Sequence, residues 1–161
     1  KTEEGLYYPN RTASDFYHHY KEDIKLMKEM GFTDFYDVGL GGDMTAAYEA
    51  EEWAEAYKEG KKKVTSCCPA FVNMVRRHFP ELADNISTTI SPMAAVSRLI
   101  KAKDPEAVTV FIGPCIAKKS EVVDQKIEGN ADYILTYSEI RAIMKAKSVA
   151  LEQLSGIFCI W

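Results

Sequence analysis

Val108 to Ile112 reads Val-Thr-Val-Phe-Ile and runs straight into Gly113-Pro114-Cys115. A β-branched, apolar run without polar alternation is the pattern of a strand buried on both faces, which is the strand type of parallel sheets. The rest of the chain has to be compatible with that strand. A cysteine at its carboxyl end is the first hint of chemistry.

Around it, helical and extended segments alternate. From Ala13 to Met30, Phe16, Tyr20, Ile24 and Met27 recur at helical spacing, and Gly31 supplies a stop. Phe35 to Val38 reads as a short strand and Gly41–Gly42 as a turn. Asp43 or Thr45 caps a helix that runs to about Gly60. Lys63 to Thr65 reads as a strand leading into Cys67–Cys68. A helix follows Pro69 and ends near Pro80, and Glu81 to Ile90 is irregular. Ser91 is a predicted N-cap with Pro92 at the first helical position. Tyr133 to Leu135 is a further strand. Thr136 and Glu139 suit a capping box for a helix carrying Ile140, Ile143 and Met144. The alternation predicts an α/β fold, a parallel sheet with flanking helices, as a single domain over residues 1–161 with residues 1–12 loosely ordered. Ligands of such sheets sit beyond the carboxyl ends of the strands. The cysteine pair, Cys115 and Gly41–Gly42 each follow a predicted strand, so all three are expected at one sheet edge.

Composition narrows the function classes. The chain has 161 residues, 47% hydrophobic and 27% charged, which suits a globular domain with a real core. Its net charge of −4 argues against non-specific nucleic-acid binding. No apolar run has the length of a membrane span, and no signal peptide opens the chain. The first residue is Lys1, so an excerpt of a longer protein is expected. The four cysteines sit in a chain too core-rich to need disulfide staples, which points to reduced thiols and a cytoplasmic location.

Cys68 precedes Pro69 at a predicted helix start, where free N–H groups and the helix dipole favour the thiolate. Cys115 has Lys118 and Lys119 close behind it, whose charge acts the same way. Thiolates select zinc, copper(I) or iron–sulfur clusters. No C-x-x-C pair of the zinc type exists, and single distant cysteines suit a cluster held by several loops better. Neighbouring side chains on an extended segment point apart, so one of Cys67 and Cys68 is a ligand and the other does something else. The bland alternative is that one or both are small buried hydrophobes.

Thr65-Ser66-Cys67-Cys68-Pro69 resembles the first signature of the iron-only ([FeFe]) hydrogenase large-subunit domain. Gly113-Pro114-Cys115-Ile116-Ala117-Lys118-Lys119-Ser120-Glu121 resembles the second, with Ser91-Pro92 between them. The resemblance covers roughly Met30 to Lys145. It implies that Cys68 and Cys115 ligate the [4Fe–4S] part of the H-cluster. It implies that Cys67 relays protons to the two-iron part, and that Lys118 hydrogen-bonds a cyanide ligand there. Pro114 would border the cofactor, and Glu121 would be a supporting acid near the lysine. Glu49, Glu52 and Ser91 match the family's proton path, the glutamates being three apart and so on one helix face. On pattern alone, Glu49 and Glu52 also read as a solvated face with Glu51, Ser91 as a simple cap, and Lys118 as a loop lysine. His18, His19 and His78 read as structural, and Lys61 to Lys63 as surface charge.

The sequence departs from the family pattern in places. Ala70-Phe71 replaces the usual Gly-Trp, and Gly113 replaces the usual Met, as in atypical and sensory branches. The third signature, with two further cysteine ligands, would lie beyond residue 161. Cys159 does not match it, and residues 148–161 form an atypical end. The resemblance therefore implies a piece of a hydrogen-converting oxidoreductase that is inactive and cofactor-free by itself. Its partners would be the remainder of the catalytic domain and a ferredoxin or fused iron–sulfur domains. The alternative is a non-catalytic hydrogen sensor or iron–sulfur homologue. A thiol redox protein ranks last, lacking a resolving cysteine and an obvious base.

Overall fold

The structure is a computed structural model and describes residues 16–124 and 127–149. The expectations for residues 1–12, and for 148–161 beyond Val149, lie outside the described residues. The described residues form two compact units, one drawn from residues up to Phe35 and from Ser138 onward, the other being Tyr36–Tyr137. In the first unit, α1 (Phe16–Glu29) buries Leu26 and Met27, and α6 (Tyr137–Ala146) buries Ile140 and Met144. Gly31 has φ +102°, which stops α1 as its residue type predicts.

The second unit carries the parallel sheet. β1 (Val110–Ile112) pairs in parallel with β2 (Tyr133–Leu135), in the register Val110 to Tyr133 and Ile112 to Leu135. The chain is thus α/β with a small parallel sheet among helices. Helix α4 (Pro92–Lys103) lies between the cysteine pair and β1 in the chain, and buries Met93, Ala94, Ala95, Val96 and Ser97. Ser91 caps it, its Oγ accepting from Ala94 N at 3.3 Å, and Pro92 follows. Met93, Ala131 and Ile134 make the core under the sheet, with Phe111 and Val122 packed against it.

Three expected elements differ. Phe35–Val38 is not a strand. Asp37 ends it by starting a helix, its Oδ1 accepting from Gly39 N at 2.8 Å and its carbonyl from Leu40 N at 3.2 Å. Gly41 and Gly42 are not a turn but lie inside α2 (Gly39–Lys58). A Cβ on Gly41 would stand 2.2 Å from the Pro92 carbonyl oxygen, so the glycine serves close helix packing of α2 on α4. Lys63–Thr65 reduces to one parallel bridge, Val64 with Ile86. It is held by Val64 N to Asn85 O at 2.8 Å and Ser87 N to Val64 O at 2.7 Å. The three chemistry-bearing segments therefore do not share one sheet edge: Cys115 follows β1, the cysteine pair follows the isolated bridge, and the glycines are helical.

Candidate metal centre

The loop after Val64 ends where α3 (Pro69–His78) begins. Cys68 is the residue before that helix, with extended backbone (φ −105°, ψ 104°), and its carbonyl accepts from Val72 N at 3.0 Å. Pro69 at the first position is buried and fixes the chain's entry into the helix. Cys67 and Cys68 are both exposed and free. They are therefore not the buried small hydrophobes of the bland reading. Cys115 is half-buried and free, between β1 and the short helix α5 (Lys118–Val122), and Pro114 before it is exposed.

One side chain joins these segments. Lys118 is buried at 8% exposure, so it is no solvated loop lysine. Its Nζ donates to Glu121 Oε2 at 2.7 Å and to the Cys67 carbonyl at 3.2 Å. Glu121 is itself buried at 7% exposure, and Asn130 Nδ2 donates to its carbonyl oxygen at 3.0 Å. A second link runs from α3 to α5, Asn73 Nδ2 donating to Ser120 Oγ at 3.2 Å.

The acids on α2 are engaged rather than freely solvated. Glu49 Oε1 accepts from Thr65 Oγ1 at 2.8 Å and Ser66 N at 3.3 Å, and Thr65 Oγ1 accepts from Cys67 N at 3.4 Å. This chain of bonds leads from α2 to the backbone of the cysteine pair. Glu52 accepts from Ser87 Oγ at 2.6 Å, from Thr88 N at 3.2 Å and from Lys63 Nζ at 2.8 Å. Burial alone would raise its pKa. Bonds from Lys63, Ser87 and Thr88, with the Lys63 charge, outweigh it and hold the carboxyl below its ordinary 4.5. Lys63 is thus paired, not merely surface charge. A cavity of about 500 Å3 is bordered by Ser66, Ser87, Ser91, Glu121 and Lys63, so the Glu52 partners, the predicted relay serine and the buried acid face one space.

Two features escaped the sequence. The motif names Glu121 as an acid near Lys118, but its anchoring by Asn130, nine residues on, is a contact with no local signal. At Gly113 a Cβ would lie 2.7 Å from Phe111 Cε1, so the edge of the Phe111 ring crowds any side chain at 113.

Two thiols on segments joined through Lys118 fit one half of a cubane's ligand set, since such clusters take four thiolates. Among the described residues no three His, Cys, Asp or Glu side chains group to hold a metal ion, so the other half would come from elsewhere. No helix of the described residues is long and apolar enough to cross a membrane.

Comparisons with known proteins show the family and the fold. Residues 13–157 match the family described as "Iron only hydrogenase large subunit, C-terminal domain". Iron hydrogenase 1 of Clostridium pasteurianum is 28% identical over 142 residues, covering 80% of this chain and 25% of that protein. The cytosolic Fe-S cluster assembly factor NAR1 of Kluyveromyces lactis is 31% identical over 84 residues, 52% of this chain and 18% of that protein. Among solved structures, a variant of apo [FeFe]-hydrogenase HydA1 from Chlamydomonas reinhardtii superposes with a TM-score of 0.70 at 27% identity. That match covers 84% of this chain and 38% of the other. The chain thus spans about a quarter of the hydrogenase it matches. A 29-residue stretch, 18% of the chain, is 66% identical to the Escherichia coli 6-phospho-beta-glucosidase AscB, but covers only 6% of that protein.

Proposed function

Because the chain belongs to the iron-only hydrogenase large-subunit family, we propose that the whole protein is an iron–sulfur oxidoreductase interconverting protons, electrons and dihydrogen at an H-cluster. The observation that most supports this is the Lys118 bridge: a buried ammonium between Glu121 and the Cys67 carbonyl draws together the two cysteine segments that the chemistry requires.

The roles are those the family resemblance implies, and the placement of the residues supports them. Cys68 and Cys115 are the thiolate ligands this chain gives to a [4Fe–4S] cluster. Cys67 stays off the cluster and carries protons to the two-iron part. Lys118 has one donor beyond the two bonds it makes here, enough for a cyanide ligand, and Pro114 borders the cofactor. Glu49 reaches the cysteine loop through Thr65 and Ser66, while Glu52 and Ser91 extend the proton route outward across the cavity. When bound, the two-iron subsite supplies the electron-rich metal at which protons and dihydrogen interconvert. The protein works in the cytoplasm, where thiols stay reduced, with a ferredoxin or fused iron–sulfur domains as redox partner. Residues 1–161 alone are inactive and free of the H-cluster, because two thiolates of four do not hold a cubane.

The test is anaerobic reconstitution of the whole protein with both cluster parts, followed by infrared spectroscopy. Bands of iron-bound carbonyl and cyanide are expected, and their absence contradicts the hydrogenase reading. A second reading, a non-catalytic iron–sulfur protein, is favoured by the NAR1 similarity and by Gly113. It predicts a cubane without those bands. Cys67 and buried Lys118 argue against it, since a cubane alone needs neither.

A further inference from the structure

Lys118 donates to a backbone atom of the other cysteine segment. Its nitrogen lies 2.7 Å from Glu121 Oε2 and 3.2 Å from the Cys67 carbonyl oxygen. The lysine and glutamate side chains are 10% and 6% exposed, so water competes little for either. The loop it reaches is tied upstream by Glu49, which accepts from Thr65 Oγ1 and Ser66 N, and by Ser66 Oγ donating to the Thr89 carbonyl, but Cys67 and Cys68 are exposed and Cys67 N meets Thr65 Oγ1 only at 3.4 Å. Glu121 cannot drift, because Asn130 Nδ2 holds its backbone and the Asn130 Oδ1 accepts from Ala131 N at 2.9 Å, next to the core under β2. The contact is therefore anchored on the sheet side and reaches toward the loop.

We propose that Lys118 is a latch that fixes the peptide between Cys67 and Cys68, and that Glu121 is the positioning residue that keeps the ammonium aimed at it. A charge-assisted bond to that carbonyl sets the plane of the Cys67–Cys68 peptide, and with it the directions in which the two neighbouring side chains leave the backbone. The two thiols then receive their separate roles from the protein and not from the cluster. Glu121 acts through Lys118 and needs no contact with metal or substrate. This rests on the site assignment above but concerns the metal-free chain, so it can fail while that assignment stands.

The test is carbonyl-13C NMR of this chain with 13C-labelled cysteine, without metal. Lys118→Met removes the donor, and the Cys67 carbonyl resonance is expected to shift in the direction of a lost hydrogen bond while Cys115 keeps its position. Glu121→Gln, which keeps the volume and an acceptor but not the charge, is expected to move the same resonance the same way by less. If Lys118→Met does not fold, the glutamine variant decides. A Cys67 resonance unmoved in the folded variants overturns the latch, as does an equal shift of Cys67 and Cys115, which would signal general loosening.

Discussion

Two lysine–carboxylate pairs of equal length stand at opposite ends of the β1–β2 sheet. At the amino end, Lys101 Nζ lies 2.7 Å from Asp132 Oδ1, with side chains 26% and 35% exposed. At the carboxyl end, the same 2.7 Å joins Lys118 and Glu121, at 10% and 6%. The difference lies in what else the groups touch. Asp132 Oδ2 accepts from Thr109 N at 2.7 Å and Thr109 Oγ1 at 2.9 Å, Lys101 donates to the Asn130 carbonyl, and Ser97 Oγ meets Thr109 Oγ1 at 3.0 Å. Ser97 and Lys101 lie on α4, and Thr109, Asn130 and Asp132 lie just before the strand starts, so the pair buckles α4 to the sheet. Lys118 instead reaches out of its own segment to the cysteine loop. Equal length therefore does not mean equal role; burial and the destination of the spare donors separate a buckle from a site.

The largest expected effect falls on the buried pair. Lys118→Met leaves an uncompensated buried carboxylate and is expected to cost about 3–5 kcal/mol in chemical denaturation of the chain. A loss no larger than that of an exposed pair, under about 1 kcal/mol, would erase the distinction between the two ends. Gly113→Met comes next. Its Cβ would stand 2.7 Å from Phe111 Cε1, so overpacking is expected to cost about 1–3 kcal/mol, and Phe111→Ala in the same chain to recover part of it. Equal losses in single and double variants would show that the ring does not hold that space.

Asp132→Ala comes third, at about 1–3 kcal/mol, because it strands the Thr109 N–H. The pH dependence sharpens its meaning. Burial works against ionisation of Asp132 and Glu52, but Lys101 and Thr109 for one, and Lys63, Ser87 and Thr88 for the other, hold both carboxyls below their ordinary 3.8 and 4.5. A carboxyl lowered in the folded state binds fewer protons there than when unfolded. Its contribution is therefore complete above the ordinary carboxyl range and disappears as the pH falls through the lowered folded value. Denaturation midpoints should decline below about pH 4, and less steeply in Asp132→Asn. The smallest effect is Lys61→Ala: Lys61 and Glu59 are paired at 2.7 Å in open solvent, and no change in the thermal midpoint is expected.

The sequence was legible where the signal is local. Ser91-Pro92 marks a helix start because cap and ring act within one turn, and the Val108 to Ile112 run contains β1, although Val108 is exposed and Val110 and Phe111 are half-buried, so the strand is not buried on both faces as its residues suggested. It misled where a partner decides. Phe35–Val38 has strand-like residues, yet Asp37 turns the backbone into α2; Gly41–Gly42 looks like a turn, yet Pro92, distant in sequence, requires the glycine. The same holds for the site. The cysteines and their motifs can be read from the sequence, but the Lys118 bond to Cys67 spans 51 residues, and only the fold brings those groups together.

The division of labour within the cysteine pair is tested most directly by iron and sulfide content, with electron paramagnetic resonance of the reduced cluster, in single Cys→Ala variants of the whole reconstituted protein. Cys68→Ala and Cys115→Ala are expected to lose the cubane signal, while Cys67→Ala keeps it and loses hydrogen turnover. A cubane that survives Cys68→Ala but not Cys67→Ala would contradict the assignment.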